Sequence, residues 1–297
     1  MMPDTMMQGV STAGKRKTKG PGLAHERRFW REGHEIVAGM DEVGRGAWAG
    51  PLTVGVAVMP NGVRRIPKGL RDSKQLAEPV RESLFDPVGK WCAAWAVGHA
   101  TPQECDGLGM TKALRLAASR AFAALPPEAF PNAVVLDGKF DFLSPRPDSF
   151  VQGEMIADDP MSGRPGFPLE RDPAYAELSA VRLPDGSSPR VRTVVKGDDI
   201  CASVAAASVL AKVTRDRMMR ADAAFYPGYD FELNKGYPSP SHKCALRGYG
   251  LTAIHRRSWA FVDWLPLRAV WDPGAGFAGE DSTAPDDPEQ DELLPAD

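Results

Sequence analysis

Residues 37–58 read VAGMDEVGRGAWAGPLTVGVAV. "HEIVAGM" (34–40) has the apolar, β-rich character of a strand, and "LTVGVAVM" (52–59) of a second one. The seven turn-like residues "VGRGAWA" (43–49) between them predict a hairpin with a wide loop. Asp41 and Glu42 stand side by side where the first strand runs out. Two acids at the buried end of a strand need their charge offset, and a cation is the usual means. The basic, Gly-lined loop that follows suggests a phosphate as the partner. Neighbours on a regular strand point to opposite faces. Asp41 and Glu42 therefore share a site only if the strand ends or bulges there, or if Glu42 approaches from the side.

Outward from this stretch, strand and helix patterns interleave. "WCAAWAVGHA" (91–100) predicts a third strand. A helix begins at Thr101-Pro102, carries Met110, Leu114, Ala117, Ala121 and Phe122 at helical spacing, and stops at Pro126-Pro127. "NAVVLDG" (132–138) reads as a buried central strand, and "VRTVVKGDD" (191–199) resumes the strand pattern. "DICASVAAASVLAKVTRDRMMR" (199–220) predicts a long helix with Asp198 and Asp199 at its start. Lys212, Arg215, Arg217 and Arg220 near its end match the helix dipole. The pattern is that of one α/β domain with a mixed sheet flanked by helices. Its expected bounds are 29–270, after a flexible basic N-terminal arm (1–28). Residues 144–190 carry eight prolines without periodicity and read as an inserted excursion; 271–297 read as a disordered acidic tail.

At 297 residues the chain can bury a full core. Its net charge of −3 conceals nine acidic and no basic side chains in 271–297, which leaves the rest at +6. Such a basic body is compatible with nucleic-acid binding without establishing it. No apolar run approaches a membrane span, and "GKRKTKG" (14–20) has no apolar stretch after it, so no secretory signal is read. Cys92, Cys105, Cys201 and Cys244 form no C-x-x-C pair and read as reduced, structural thiols of a cytoplasmic protein.

Three apolar runs end alike: at Asp41-Glu42, at Asp137, and at Lys196-Gly197-Asp198. Strand ends of α/β sheets are where ligand sites gather. Carboxylates collected there suit Mg²⁺ or Mn²⁺, hard cations that prefer oxygen. Taken singly, Asp137 before a glycine could be a turn residue, and Asp198 or Asp199 a helix cap.

"MDEVGRGAWAGP", "RDSKQL", "VVLDG", "VVKGDDICASVAAASVLAKVTRD" and "NKGYPSPSH…HRRSW" resemble, in order and kind, the motifs of ribonuclease HII. The resemblance covers roughly residues 35–262, apart from the Pro-rich excursion. It implies the ribonuclease H-like fold, here with a C-terminal helical extension. It also implies cleavage of the RNA strand of RNA–DNA hybrids and 5′ of single ribonucleotides embedded in duplex DNA, leaving 3′-hydroxyl and 5′-phosphate ends. That activity would serve removal of misincorporated ribonucleotides. The family's four catalytic, metal-holding acids fall on Asp41, Glu42, Asp137 and Asp198, with Asp199 an additional acid next door. Two-metal chemistry places the ions ~3.5–4 Å apart around a shared carboxylate, for which Asp41 is the candidate.

An enzyme that separates RNA from DNA reads the 2′-hydroxyl. Backbone groups of Gly44, Arg45 and Gly46 can approach a sugar closely, and the Arg45 fork can hold a phosphate; a plain hairpin turn is the alternative. The resemblance places Tyr237 against the sugar at the RNA-to-DNA junction, with Ser239 where threonine is common. Ser73 and Lys74 in "RDSKQL", and Lys212 and Arg215 on the long helix, are candidate phosphate contacts, in competition with ordinary surface charge. His242 and His255 are read as structural. "QDELL" (290–294) loosely resembles the Gln-and-Leu peptides that bind sliding clamps. The alternatives are a ribonuclease HIII-like hybrid nuclease, disfavoured because residues 1–34 are too short for its N-terminal domain, and a non-catalytic duplex-binding protein.

Overall fold

A computed structural model describes residues 20–63, 65–145, 175, 178, 180–183 and 186–265. The acidic tail, the first 19 residues and most of the Pro-rich excursion lie outside that set.

The chain enters through α1 (Ala24–Arg31), then forms β1 (Ile36–Val43), β2 (Leu52–Pro60), α2 (Glu78–Trp91), β3 (Ala94–Ala100) and α3 (Pro102–Ala123). There follow β4 (Ala133–Asp137), β5 (Arg190–Val194), α4 (Gly197–Ile200), α5 (Ala202–Ala223), α6 (Phe231–Asn234) and α7 (Pro240–Tyr249). The sheet order is β3-β2-β1-β4-β5. The first three strands form an antiparallel meander, and β4 and β5 add in parallel on the other side of β1. This is the mixed sheet read from the sequence, and α6 and α7 supply the helical extension.

Alternation along β1 sorts its side chains between two helical layers. Val37 packs with Val204 of α5, whereas Ala38 and Met40 join the larger core that holds Leu114 and Ala117 of α3. On the α5 side, glycine allows the backbones to meet. A methyl group at Gly39 would lie 2.1 Å from the Ser203 carbonyl carbon. Farther along α5 the same closeness meets β2, where a methyl group at Gly55 would lie 2.7 Å from the Ala207 carbonyl oxygen. α3 is held at its start by a capping box, in which the Thr101 hydroxyl accepts from the Glu104 N–H and the Glu104 carboxylate accepts from the Thr101 N–H.

Three differences from the sequence reading have clear causes. Residues 20–28 belong to the described body and not to an arm ending at 28. Gly22 bonds back to back with α4 and α5, its N–H to Ile200 O and its carbonyl from Ala202 N–H, while buried Glu26 accepts from the Ser203 amide and hydroxyl. Second, the helix expected over 199–220 is two helices, broken at Cys201, whose extended backbone (φ −108°, ψ 122°) pairs in parallel with Gly22. Asp198 therefore sits on a single separate turn. Third, α2 went unread because Pro79 and Pro87 punctuate it. The Pro79 ring suits the first turn, and Leu84 and Val88 bury the inner face.

The seam between β1 and α5 makes a sharp comparison possible. Gly39→Ala is expected to destabilise the protein by more than about 3 kcal/mol through overpacking. Gly248→Ala, in α7 with open space around its Cβ position, should instead gain about 0.5–1 kcal/mol of helix propensity. Chemical denaturation of both variants checks the opposite signs.

Candidate active site

The structure gathers the four sequence-predicted acids at the ends of the central strands β1 and β4. β1 pairs with β4 only as far as Met40 and Leu136, so Asp41, Glu42 and Asp137 lie just where these two parallel strands part. On its other side β1 continues in unbroken register with β2 through Val43 and Thr53. The strand thus neither ends nor bulges at the acidic pair. Asp41 falls on the α5 face, is buried, and accepts from the Glu42 N–H at 2.9 Å and from the Ser208 hydroxyl. Glu42 lies on the opposite side, yet near enough to Asp137, across the gap that β4 leaves, for the Asp137 charge to raise it. Asp198 arrives from α4. Left-handed Lys196 (φ 57°) turns the chain so that the first amide of α4, Gly197 N–H, donates to Asp137 Oδ1 at 2.7 Å.

The electrostatics are those of an anionic cluster short of cations. Burial, then the charge of Glu42, raises the Asp41 carboxyl well above the usual carboxylate range, and Asp137 adds to the rise. Burial also raises Glu42, against Arg45, whose guanidinium stands 3.9 Å away. Asp137 is raised by burial and by Asp198. Lys74 is the central counter-charge, with Nζ 3.3 Å from Asp198 Oδ2. Burial opposes its charge, but Asp41, Asp198 and Asp72 together hold it protonated, above the ordinary lysine range. Among the described residues no three Asp, Glu, His or Cys side chains already converge as a metal cage. Main-chain amides and Lys74 occupy several of the carboxylate oxygens instead. The donor set nonetheless fits hard divalent cations: it is all oxygen, its members repel one another, and one lysine and one arginine offset four acids.

The remaining predicted residues divide. Gly44 has φ +88°, and a Cβ there would lie 2.4 Å from Arg215 Nε, so the fold itself demands glycine. Gly46 faces open space and Arg45 is exposed. Tyr237 sits beside this loop: Gly44 N–H donates to its hydroxyl at 3.1 Å, while Lys212 Nζ and the Arg215 guanidinium each lie 5.4 Å from its ring centre. Lys74 is exposed, as a ligand contact requires.

Arg215 and Ser73 are not surface phosphate contacts. Arg215 is wholly buried, donating Nε to Pro51 O, Nη1 to Lys235 O and Nη2 to Ala49 O; burial lowers its pKa to about 10. Its amphipathic position on α5 looked like a surface, but α6 and the hairpin loop close over it. Ser73 is buried with its hydroxyl 2.8 Å from that of Ser208, which itself reaches Asp41. Lys212 is mostly buried and paired with Asp216 at 2.7 Å. Asp199 turns away to Gln75.

Sequence reasoning missed three contributors. Arg256, fully buried, donates to the carbonyls of Arg45 (3.0 Å), Gly44 (2.7 Å) and Gly50 (3.3 Å), so two arginines clamp one loop. Ser208 hides within an alanine-rich helix. Asp72, next to the predicted Ser73, is buried against Asp198, and burial followed by that charge raises its pKa. The doubled arginine of "HRRSW" was the available signal for the first; nothing marked the other two.

The family model for ribonuclease HII matches residues 38–137 and 178–262. The chain belongs to the ribonuclease HII family. It is 48% identical over 238 residues to a ribonuclease HII of Streptomyces griseus, covering 79% of this chain and 81% of that one. A Thermus thermophilus ribonuclease HII is 40% identical over 243 residues (82% and 95%). The crystal structure of ribonuclease H2 from Pyrococcus horikoshii aligns with a TM-score of 0.54 at 28% identity, covering 77% of this chain and 95% of the other. Membership places the chain among nucleases, which are hydrolases, and favours this reading over the ribonuclease HIII-like one. No helix among the described residues is long and apolar enough to cross a membrane.

The raised Asp41 carboxyl has a consequence for stability. A carboxyl whose folded pKa exceeds its unfolded value makes the native state bind protons more readily, so the ionised form costs stability at neutral pH and the cost fades as pH falls. Asp41→Asn should therefore stabilise the metal-free protein at pH 7, by ~1.4 kcal/mol for each unit of the upward shift, and raise its melting temperature, with the gain shrinking toward pH 5. Thermal scans in chelator at both pH values check this.

Proposed function

We propose that the protein is an endoribonuclease that hydrolyses the RNA strand of RNA–DNA hybrids and cuts 5′ of single ribonucleotides embedded in duplex DNA, leaving 3′-hydroxyl and 5′-phosphate ends. The observation that carries this reading is the gathering of Asp41, Glu42, Asp137 and Asp198 near enough for the charges of neighbours to raise the first three, beside a loop whose backbone is open to a ligand. These four carboxylates would hold Mg²⁺ or Mn²⁺. When bound, two such ions supply an activated water and charge stabilisation for the leaving 3′ oxygen.

The chain's own residues prepare the rest. Ser208 and the Glu42 amide fix the Asp41 carboxylate in place. Lys74, held protonated, offers a cation to the scissile phosphate. The Gly44–Gly46 backbone, held by Arg256 at Gly44 and Arg45, in a loop whose far end Arg215 fixes at Ala49 and Pro51, presents fixed dipoles to the ribose 2′-hydroxyl. Glycine at 46 is required by no neighbour in the protein, which leaves room for a close-approaching sugar as its reason. Tyr237 supports the same role: its ring is half-buried, backed by two cations, and its hydroxyl is tied to Gly44. The biological role that follows is removal of misincorporated ribonucleotides in the cytoplasm. A sliding clamp is a further proposed partner, suggested by "QDELL", outside the described residues, and by the solved PCNA:ribonuclease HII complex of Archaeoglobus fulgidus, whose fold this chain shares.

A duplex containing one ribonucleotide, incubated with Mg²⁺, Mn²⁺ or chelator, tests the proposal by end-mapping. The expected outcome is a metal-dependent nick 5′ of the ribonucleotide, reduced roughly 10²–10³-fold in Asp41→Asn, a loss of the size expected when transition-state charge stabilisation is removed. No cut by folded protein that still binds the duplex would favour the non-catalytic reading. Exposed Arg45 should contribute to the phosphate term: Arg45→Ala should flatten the plot of log affinity against log salt by about 0.9 for one lost contact.

A further inference from the structure

We propose that His242 and His255 are positioning residues: a neutral, tautomer-fixed pair that holds the Tyr237 main chain, and with it the ring, at the place where the sugar at the RNA-to-DNA junction lies. This rests on the reading of Tyr237 given above.

A single amide decides both tautomers. Thr252 N–H points at His255 Nδ1 at 2.9 Å, so that nitrogen must accept. Thr252 Oγ1 approaches the same atom at 2.8 Å. The hydrogen of His255 is therefore on Nε2, which lies 3.0 Å from His242 Nε2 and donates to it. His242 is left with its hydrogen on Nδ1, which donates to the Tyr237 carbonyl at 2.9 Å. The chain Thr252→His255→His242→Tyr237 has one donor and one acceptor at every step.

Its surroundings make a purely space-filling role a poor account. Both rings are buried in an aromatic box of Tyr229, Phe231, Trp48 and Phe261. Two apolar side chains would fill that box without polar groups to satisfy, whereas a polar pair there is stable only when fully bonded. Burial lowers both histidines, His255 to about 3 with further lowering from the charges of His242 and Arg257. An added proton would set two N–H groups against each other at the His242–His255 contact. The pair is thus held neutral, and its direction of donation is fixed.

The chain's end point is where a ligand-facing residue needs support. Tyr237 is tied at its hydroxyl to Gly44 and at its carbonyl to His242, so the ring is fixed from both sides. Ser239, the cap of α7, accepts from the His242 N–H at 3.0 Å and sets where that histidine begins. At the other end, the segment bearing His255 clips onto the hairpin loop through Gly50 N–H to Ile254 O and Arg256 N–H to Trp48 O. The pair therefore joins the loop proposed to read the ribose to the tyrosine proposed to read the next sugar.

Two substitutions separate positioning from packing. His242→Asn keeps an N–H near the Nδ1 position and so the bond to Tyr237. His242→Gln keeps a polar atom near Nε2 and leaves the Tyr237 carbonyl unpaired. Each is compared with Tyr237→Ala in kcat and KM on a duplex with one ribonucleotide and on a continuous hybrid. Tyr237→Ala should lower the single-ribonucleotide-to-hybrid ratio of kcat/KM. His242→Gln should lower it in the same direction by roughly fivefold, the size of one lost hydrogen bond, with Asn within about twofold of wild type. Equal ratios for Asn, Gln and wild type, beside a shifted Tyr237→Ala, would overturn the positioning role and leave the tyrosine reading standing. An unshifted Tyr237→Ala would remove both. Independently of variant folding, ¹⁵N-resolved imidazole NMR of the wild-type protein should find His242 protonated on Nδ1 and His255 on Nε2 at neutral pH; either opposite tautomer overturns the proposal.

Discussion

The architecture depends on bringing carboxylates together where a protein interior least favours them. β1 and β4 run parallel and part after Met40 and Leu136, and the chain places acids at the point of parting. Burial raises the cost of each negative charge, and each neighbour raises it further. Few local means offset it: Lys74 among the acids, Arg45 at the rim, and the amides of Glu42 and Gly197. An ordinary core would have replaced such a cluster with apolar side chains. The proposed bound state, in which divalent cations would complete the charge balance, accounts for the cluster.

The second constraint is the rigidity of the hairpin loop. A Gly-rich loop has much conformational freedom to lose, yet this one is fixed by buried guanidiniums from two directions. Arg215 reaches it from α5, and Arg256 from the C-terminal segment, so a loop that presents only backbone is held by side chains behind it. The buried charges are not wasted on ion pairs: each guanidinium donates to several carbonyls, and together they put positive charge behind a surface proposed to meet a phosphodiester. Gly44 belongs to this clamp, because any Cβ there would strike Arg215. Thus the two glycines of the triplet differ: the fold itself demands Gly44, whereas Gly46 faces open space and is proposed to face the ligand.

Much of this was legible in the sequence because the signals were periodic or terminal. Apolar, Val-rich runs gave β1 and β2, the Thr101 cap gave the start of α3, and acids after apolar runs gave the cluster. What could not be read depends on which surface is covered by what. Arg215 and an exposed arginine look alike on a helical pattern until α6 and the loop close over one of them. Cys201 interrupts the long helix because Gly22, far away in sequence, pairs with it. α2 carries one proline in its first turn and another, Pro87, in its interior, where proline usually breaks a helix, and only burial of Leu84 and Val88 decides the matter. Ser208 and Asp72 acquire their roles from contacts more than a hundred residues distant in the chain.

The most direct test of the account is calorimetry of Mn²⁺ binding near pH 6 in two buffers of different ionisation enthalpy. Carboxyls raised by burial and mutual repulsion retain protons that a cation must displace. The account predicts binding whose heat depends on the buffer, reporting net proton release, with the release diminished in Asp137→Asn. Absence of binding, or a heat identical in both buffers, would contradict it.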